Sequence, residues 1–247
     1  MNPSANVKSC QQKIVQHKNY YCVYNPTLVN NFNEQMLSAD YWQQKNAIIG
    51  QAQGRGITYF VKHDQQEWVL RHYYRGGLIG KFNHDSYLFT GVKHTRAEKE
   101  YQLLQRLVEL NLPAPVPVAY AVVRKNIHYQ ANILTSRIEG AQDLVARLSK
   151  GPLTASLWLA IGQCIAQFHR HGIYHHDLNA HNILIDNNNK VWLIDFDQGE
   201  QRSVKQSWQQ ANMNRLLRSF NKELGKLPTF HWQPTDWKLL MEGYLSE

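Results

Sequence analysis

Two short apolar runs separated by a polar turn constrain the fold of this chain more than any other feature of its sequence. The hairpin segments cover residues 182–185, apolar from residue 183 onward, and 191–194, and the turn between them, residues 186–189, consists of Asp and Asn. Large aliphatic residues favour strands, whereas Asp and Asn favour tight turns, so this pattern predicts a β-hairpin. Polar segments adjoin the hairpin on both sides, at residues 175–181 and 195–197.

The rest of the chain divides into a strand-rich part and a helical part. Three β-prone runs, an amphipathic helix and two further strands are predicted in that order, at residues 47–50, 58–61, 68–73, 95–110, 118–123 and 128–135. After Gly140 the pattern becomes helical, most clearly over residues 155–171. This order predicts an α+β fold, with an antiparallel-sheet N-lobe that carries one helix and a reduced, mainly helical C-lobe.

The predicted domain boundaries follow this change of pattern. Residues 1–40 are rich in Asn and Gln, with one β-prone island at residues 20–24, and we interpret them as a partly ordered N-terminal arm. The N-lobe is predicted over residues 41–136 and the C-lobe over residues 137–247. Both belong to one domain, whose hinge is expected near residues 136–140.

The polar segments beside the hairpin have the chemistry that phosphoryl transfer requires. Such transfer needs a carboxylate that accepts the proton of the attacking hydroxyl, and oxygen ligands that fix Mg²⁺ on the phosphates. Asp177 fits the first role. Asn182, five residues on, and Asp195, after the hairpin, fit the second. The sequence therefore predicts Asp177 as the catalytic base, with Asn182 and Asp195 as metal ligands.

The same segments resemble the protein-kinase catalytic loop H-R-D-L-x-x-x-N and the metal motif D-F-G. The matching residues are His175, Asp177, Leu178, Asn182, Asp195 and Phe196. This resemblance implies a protein-kinase-like bilobal fold and ATP as the phosphate donor. The alternative is a chance spacing of common turn residues, and six matches in the right order around a hairpin argue against it.

Two positions depart from the kinase pattern. His176 stands where many protein kinases have an arginine that receives a phosphorylated activation loop, which argues against that mode of regulation. Asp197 replaces the glycine of D-F-G, restricts the backbone after Phe196, and adds a carboxylate near the metal or the substrate. Asp197, together with the arginine at position 71, leaves a catalytically inactive binding module of the same fold as one alternative, against which the intact Asp177, Asn182 and Asp195 argue.

Glycines in the N-lobe form a second candidate site. Gly50, Gly54 and Gly56 lie between two predicted strands, where glycine lets backbone amides approach phosphate oxygens closely. An ordinary hairpin turn would account for them equally well. Their position before the third strand of the meander favours nucleotide binding.

A cation and a carboxylate complete the predicted nucleotide site. Arg71 occupies the place of the lysine in the V-A-I-K motif, which pairs with the phosphates of ATP. Arginine remains cationic, but its fork is not interchangeable with a lysine, and Lys62 or Lys81 are alternative sources of that charge. On the following helix Glu100 fits the partner of this cation better than Glu98, with a solvated helix-face glutamate as the other interpretation.

Longer segments resemble the 3-deoxy-D-manno-octulosonic acid (Kdo) kinases of the lipopolysaccharide kinase family. The resemblance covers most of the chain after residue 46 and is carried by residues 68–81, 174–184, 195–200 and 215–220. It implies ATP-dependent phosphorylation of the 4-hydroxyl of a Kdo sugar on a lipid A precursor, at the cytoplasmic face of the bacterial inner membrane. An enzyme of the same fold with another acceptor, such as an aminoglycoside-like compound or a protein, is the alternative.

The charge of the chain agrees with an anionic substrate and an anionic membrane surface. The net charge is +8, and the sequence has no apolar run long enough for a membrane span or a signal peptide, so peripheral attachment is expected. Arg75 and Lys81 are candidate ligands of the acceptor, with Lys93 and Arg96 nearby. No groove-reading motif suggests nucleic-acid binding. The sequence does not indicate an oligomeric state.

Overall fold

A computed structural model describes residues 12–53, 56–74 and 85–246 of the chain. Contacts divide the chain into two compact units. Unit 1 consists of Met1–Glu109 and Pro115–Arg137, and unit 2 consists of Leu110–Ala114 and Ile138–Glu247. No helix among the described residues is long and apolar enough to span a membrane.

Unit 1 is built on an antiparallel sheet of eight strands. The strands are β1 (Lys13–His17), β2 (Tyr20–Tyr24), β3 (Ile48–Gln53), β4 (Ile57–His63), β5 (Gln66–His72), β6 (Tyr87–Leu88), β7 (Pro117–Lys125) and β8 (His128–Ser136). Their order across the sheet is β1-β2-β7-β8-β5-β4-β3, and β6 pairs with β8 beside this path. The meander predicted at residues 47–73 forms β3, β4 and β5, and the two predicted later strands form β7 and β8.

Two helices accompany this sheet. The short helix α1 (Ala39–Gln44) carries Trp42, which is 1% exposed and packs edge-to-face on Trp68 of β5 with ring centroids 6.0 Å apart. The longer helix α2 (Arg96–Glu109) buries one face, because its apolar residues recur every three or four positions. Tyr101 of this face contacts Tyr120 of β7, with ring centroids 5.1 Å apart.

Unit 2 is mainly helical. Its helices are α3 (Leu144–Lys150), α4 (Ala155–Arg170), α5 (Gln206–Lys226) and α6 (Pro234–Leu245). Helices α4 and α6 approach closely where Gly162 faces α6 and Gly243 faces α4, since a Cβ atom at either glycine would overlap backbone of the opposite helix. The two glycines therefore let α4 and α6 pack with their backbones close together.

The strands of unit 2 are short and include the predicted hairpin. Its two strands, β11 (Ile183–Ile185) and β12 (Val191–Leu193), pair antiparallel, and β9 (Gln142–Asp143) pairs with β11. β10 (Ile173–Tyr174) pairs with β13 (Glu200–Gln201). In the hairpin turn Asp186 accepts bonds from the backbone of Asn188 and Lys190 and from the Trp192 indole, so its carboxylate fixes the turn.

The predicted α+β fold, with an antiparallel sheet and a mainly helical second part, is confirmed. The boundaries proposed at residues 40 and 136 and the hinge at residues 136–140 stay predictions. Within the segment interpreted as an arm, residues 13–17 and 20–24 form β1 and β2 of the sheet. Contacts divide the chain between Arg137 and Ile138.

Candidate active site

The polar segment before the hairpin forms a loop that joins β10 to β11; we call residues 175–182 the polar loop. His175 begins it and is 2% exposed. Its Nε2 donates to the carbonyl oxygen of Ile194 at 2.9 Å, and its Nδ1 accepts from the backbone N–H of Asp177 at 3.2 Å. One buried ring therefore links the backbone of Asp177 to the strand end that precedes Asp195.

Burial keeps the His175 ring in the neutral form that these two bonds require. Removal from water lowers the pKa of His175, although its bond to Ile194 and the charges of Asp195 and Asp177 act in the opposite direction. Only a neutral imidazole can donate from Nε2 and accept at Nδ1 at the same time. The ring also lies against Phe196, with centroids 4.9 Å apart.

The polar loop is folded around the backbone carbonyl of Asp177. The side-chain amides of Asn182 and Asn179 both donate to this oxygen, at 2.9 and 3.0 Å. The carboxylate of Asp177 is not enclosed, because its side chain is 46% exposed. Rigid backbone and an accessible carboxylate are what a general base requires, since it must meet a hydroxyl that arrives from solution.

Asp195 follows β12 and has a left-handed backbone. Its φ is 61°, a region that few residues other than glycine enter, although Asp and Asn do so more readily. The backbone N–H of Ile194 donates to the carbonyl oxygen of Asn182 at 3.0 Å, which ties the two predicted metal ligands to one short stretch of backbone. Asp197 does not have positive φ, so its replacement of glycine costs no backbone strain here.

The residues predicted to hold a metal ion suit Mg²⁺. With its amide nitrogen donating to Asp177, Asn182 has its amide oxygen as the atom for a cation, and Asp195 supplies a carboxylate. Mg²⁺ is usually held by one or two protein oxygens together with water and phosphate. Among the described residues no group of three His, Cys, Asp or Glu could hold a metal ion.

Helix α5 supports the polar loop, a feature that sequence analysis missed. Asn212, 1% exposed, accepts from the backbone N–H of His175 at 3.3 Å and donates to its carbonyl oxygen at 3.0 Å. His169 of α4 donates from Nε2 to the same Asn212 oxygen at 3.3 Å and accepts from the hydroxyl of Tyr244 at 2.7 Å. A buried polar chain thus connects three helices to the start of the loop.

In unit 1 the structure brings Arg71 of β5 and Glu100 of α2 together. Arg71 Nη2 forms an ion pair with Glu100 Oε1, and the Tyr73 hydroxyl donates to Oε2 at 2.7 Å. The guanidinium carbon lies 5.2 Å from the centre of the Tyr73 ring. Glu100 is 3% exposed, so its carboxylate is a buried group with a cation and a hydroxyl as partners. Glu98 instead accepts from the hydroxyl of Tyr120.

Two of the three candidate glycines lie within the described residues, and Gly54 lies outside them. Gly50 is inside β3, where the pairing with β4 shifts register. A Cβ atom added at this position would lie 3.1 Å from the Phe60 ring. Gly56 faces Tyr74, whose ring fills the space that a side chain would need. The structure therefore gives Gly56 a packing role, and phosphate binding by these glycines stays a prediction.

One alternative cation, Lys62, lies away from Arg71 in the sheet. Lys62 of β4 pairs in register with Glu67 of β5. The β4 partner of Arg71 is Thr58, which is four residues from Lys62, or about 13 Å along the strand. Lys81 and Arg75, the candidate acceptor ligands, lie outside the described residues. Arg96 donates to the Tyr87 hydroxyl at 2.9 Å.

Comparison with known proteins agrees with the geometry of the polar loop. The sequence profile described as "Lipopolysaccharide kinase (Kdo/WaaP) family" matches residues 39–244. The chain belongs to this family. It is therefore a phosphotransferase with the kinase-like fold that the sequence predicted, and the family expectation is confirmed. The family also implies ATP as the co-substrate.

Three curated relatives cover nearly the whole chain, and each is named 3-deoxy-D-manno-octulosonic acid kinase. The relative from Vibrio parahaemolyticus is 43% identical over 89% of this chain and 92% of its own length. The relative from Photobacterium damsela is 45% identical over 87% and 89%, respectively. The Haemophilus influenzae relative is 41% identical over 93% and 98%.

Proposed function

We propose that this chain phosphorylates the 4-hydroxyl of a Kdo sugar on a lipid A precursor, with ATP as the donor, in lipopolysaccharide core biosynthesis. The observation that carries the proposal is the polar loop, in which a buried histidine and two asparagine amides fix the backbone of a half-exposed Asp177. The names of the three relatives support Kdo as the acceptor. The 4-hydroxyl is proposed from the resemblance of the sequence segments alone.

The residues of the chain have separate tasks in this reaction. Asp177 accepts the proton of the sugar hydroxyl while its oxygen forms a bond to the γ-phosphorus and the bond to the ADP oxygen breaks. Arg71, held by Glu100 and stacked near Tyr73, is the proposed phosphate-binding cation of unit 1. Asn182 and Asp195 would hold Mg²⁺, which when bound neutralises charge on the phosphates.

The position of the new phosphate tests this proposal. Purified protein is incubated with ATP, Mg²⁺ and a lipid A precursor that carries one Kdo, and the product is analysed by mass spectrometry and ³¹P-correlated NMR. We expect one added phosphate on O4 of Kdo, with no product when ATP or Mg²⁺ is omitted. Phosphate on another hydroxyl would contradict the proposed position, and phosphorylation of an unrelated acceptor alone would contradict the proposed substrate.

We further propose that unit 1 binds an anionic membrane surface peripherally through a basic and apolar end of its sheet. This surface, the sheet tip, consists of exposed Lys18, Arg124, Lys125, Leu88 and Ile127. Leu88 is 58% and Ile127 63% exposed. Hydrogen bonds join the three segments, since Asn19 and Arg124 exchange bonds of 3.0 and 2.7 Å and Phe89 donates to Ile127 at 2.8 Å.

The charge of the sheet tip matches an anionic bilayer. Residues 17–20, 88–91 and 124–128 contain no Asp or Glu, so lysine and arginine carry the charge next to the two apolar side chains, and Glu34 pairs with His17 at 2.8 Å. Basic residues are attracted to anionic headgroups, and the apolar side chains can enter the acyl boundary. The proposal also explains why two large aliphatic side chains are exposed side by side.

Vesicle co-sedimentation tests the sheet tip. The wild type is expected to bind phosphatidylglycerol vesicles and not phosphatidylcholine vesicles, and Ile127→Glu is expected to lose most of this binding. Ile57→Glu changes another exposed isoleucine of unit 1, 41% exposed in β4, and serves as the matched control. Equal binding by the two variants would contradict the proposed surface.

A further inference from the structure

One face of α5 follows the polar loop along its length. Asn212 holds His175, the Ser219 hydroxyl accepts from the backbone N–H of Ala180 at 3.0 Å, and Glu223 lies 3.6 Å from the His181 ring. The three α5 residues are seven and four positions apart, which places them on one side of a helix. A helix anchored at three points fixes the position of any other side chain on that face.

Arg215 is on this face, between the anchors, and it contacts the proposed base. Its Nη1 lies 3.4 Å from Asp177 Oδ1, and the two side chains are 42% and 46% exposed. Among the described residues, the hydrogen-bond partner of the Arg215 guanidinium is this carboxylate oxygen of Asp177. Arginine has five N–H donors in a planar fork, so a single long bond leaves most of its hydrogen-bonding capacity for another group.

Stability does not account for this contact. A half-exposed ion pair with one long bond contributes little to folding, because water screens the charges and both side chains lose rotamer freedom. A fixed cation beside a general base does attract any anion that reaches the base. The reaction brings one such anion to Asp177 by necessity, namely the phosphoryl group that is being transferred.

We propose that Arg215 is a further catalytic residue, whose guanidinium binds the oxygens of the transferred phosphoryl group. This inference rests on the proposed function, in which Asp177 is the base for transfer from ATP to the sugar. As the sugar oxygen bonds to phosphorus and the ADP oxygen leaves with its electron pair, charge is shared among the three equatorial phosphoryl oxygens. A preorganised fork of donors stabilises that charge, while the sugar proton passes to Asp177 and Arg215 keeps its own protons.

Another anion could occupy the same fork. A Kdo residue carries a carboxylate, which has the same bidentate geometry as two phosphoryl oxygens. The two sources differ in the kinetic parameter that the cation controls. A ligand of the acceptor carboxylate acts on ground-state binding and changes KM, whereas a ligand of the transferred group acts in the transition state and changes kcat.

The test is steady-state phosphate transfer by Arg215→Met and Arg218→Met. Arg218 is exposed on the same helix three residues away, so its variant removes one charge without touching the polar loop. We expect Arg215→Met to lower kcat about 100-fold, with unchanged KM for ATP and acceptor, and Arg218→Met to match the wild type. Arg215→Lys, which keeps charge without the fork, should fall between them.

Two outcomes would overturn the assignment. Unchanged kcat in Arg215→Met would show that the guanidinium does not act in the reaction, and a raised acceptor KM with unchanged kcat would show that it binds the acceptor carboxylate. Thermal unfolding of each variant confirms that the fold is intact. Failure of the wild type to transfer phosphate would instead contradict the proposed function itself.

A double-mutant cycle separates direct contact from positioning. If Arg215 acts only by orienting Asp177, its removal should cost nothing further in an Asp177→Asn background. Direct contact with the phosphoryl group predicts that the double variant is slower than Asp177→Asn alone. Added guanidinium ion should also raise kcat of Arg215→Ala and leave Arg218→Ala unchanged, which a purely structural role would not predict.

Discussion

The candidate sites of the two units are assembled over different distances along the chain. In unit 2 the side chain of Asn182 reaches back five residues to Asp177, and His175 reaches forward nineteen to Ile194. In unit 1 Arg71 and Glu100 are separated by 29 residues, one on a strand and the other on a helix, so no short motif contains both. One part is specified by a continuous segment, and the other depends on how a helix packs against a sheet.

This difference explains which departures from the kinase pattern each part tolerates. In the polar loop the backbone of Asp177 is bonded to His175, Asn179 and Asn182, and the residue that departs from the motif there is the exposed His176. In unit 1 an arginine stands where the motif has lysine, because its longer fork still reaches Glu100 and lies over Tyr73. The chemistry of unit 2 is therefore expected to respond more sharply to substitution.

The largest effect is expected at Asp177. Asp177→Asn keeps the size of the side chain and removes its capacity to accept a proton, so turnover should fall by about 100-fold to 10,000-fold without a comparable loss of nucleotide affinity. The time course of phosphate transfer measures turnover, and titration with an ATP analogue measures nucleotide affinity. Asp64→Asn, at an 86% exposed carboxylate, is the matched control and should remain fully active.

The next effect concerns the support of the polar loop by α5. Asn212→Leu removes the partner of both backbone groups of His175 and leaves them buried, which should cost about 2–4 kcal/mol of unfolding free energy. Denaturant titration measures this loss. Asn214→Leu changes an exposed asparagine on the same helix and should alter stability by less than about 0.5 kcal/mol. Similar losses in both variants would mean that α5 does not hold the loop.

Acid should weaken the same support. Burial lowers the pKa of His169 from 6.5 to about 4, while its bond to Asn212 acts in the opposite direction. Because the folded-state pKa lies below the unfolded value, the unfolded chain takes up the proton first. The contribution of His169 is complete above pH 6.5 and is lost as the pH falls toward 4, by about 2 kcal/mol at pH 5.

Other histidines modify this pH dependence in known directions. Burial also lowers the pKa of His175, so it adds to the loss in acid. The hydrogen bond that His181 donates to the Asp143 carboxylate raises the pKa of His181, so its contribution is present in acid and is lost as the pH rises through the folded-state pKa. Unfolding free energies between pH 4 and 8 should show a smaller acid loss in His169→Gln, whereas exposed His171→Gln should keep the full loss. Identical curves for both would contradict this account.

The smallest effect is expected in unit 1. Arg71→Met removes the proposed phosphate-binding cation, while the Tyr73 hydroxyl still donates to Glu100, and we expect affinity for ATP to fall about tenfold, or about 1.4 kcal/mol. Isothermal titration with an ATP analogue measures the change. Lys62→Met tests the alternative source of charge and should bind as the wild type does. A larger loss in the Lys62 variant would assign the phosphate contact to β4.

The sequence predicted those elements whose pattern is local. The hairpin of residues 183–193 and helices α2 and α4 were found because turn residues and helical periodicity are visible within a short window. β1 was missed because it is an edge strand with four of its five residues exposed, so its sequence carries no burial pattern.

The residues of the candidate active site were likewise predictable only where they belong to a local motif. Asp177, Asn182 and Asp195 could be proposed from a motif within 21 residues, counted inclusively from His175 to Asp195. The contacts of α5 could not, since Asn212 lies 37 residues beyond His175 and Arg215 lies 38 beyond Asp177. Polar residues that recur at helical spacing on an otherwise amphipathic helix were the available signal, and they are equally typical of a solvated helix face.

The identity of the acceptor is the central claim, and one measurement tests it most directly. Labelled phosphate transfer from ATP is followed with a lipid A precursor that bears one Kdo and with the same precursor lacking Kdo. We predict transfer to the Kdo-bearing lipid and none to the Kdo-free lipid. Equal labelling of both lipids would place the phosphate on the lipid A part and contradict the account, and so would the absence of labelling while ATP is bound.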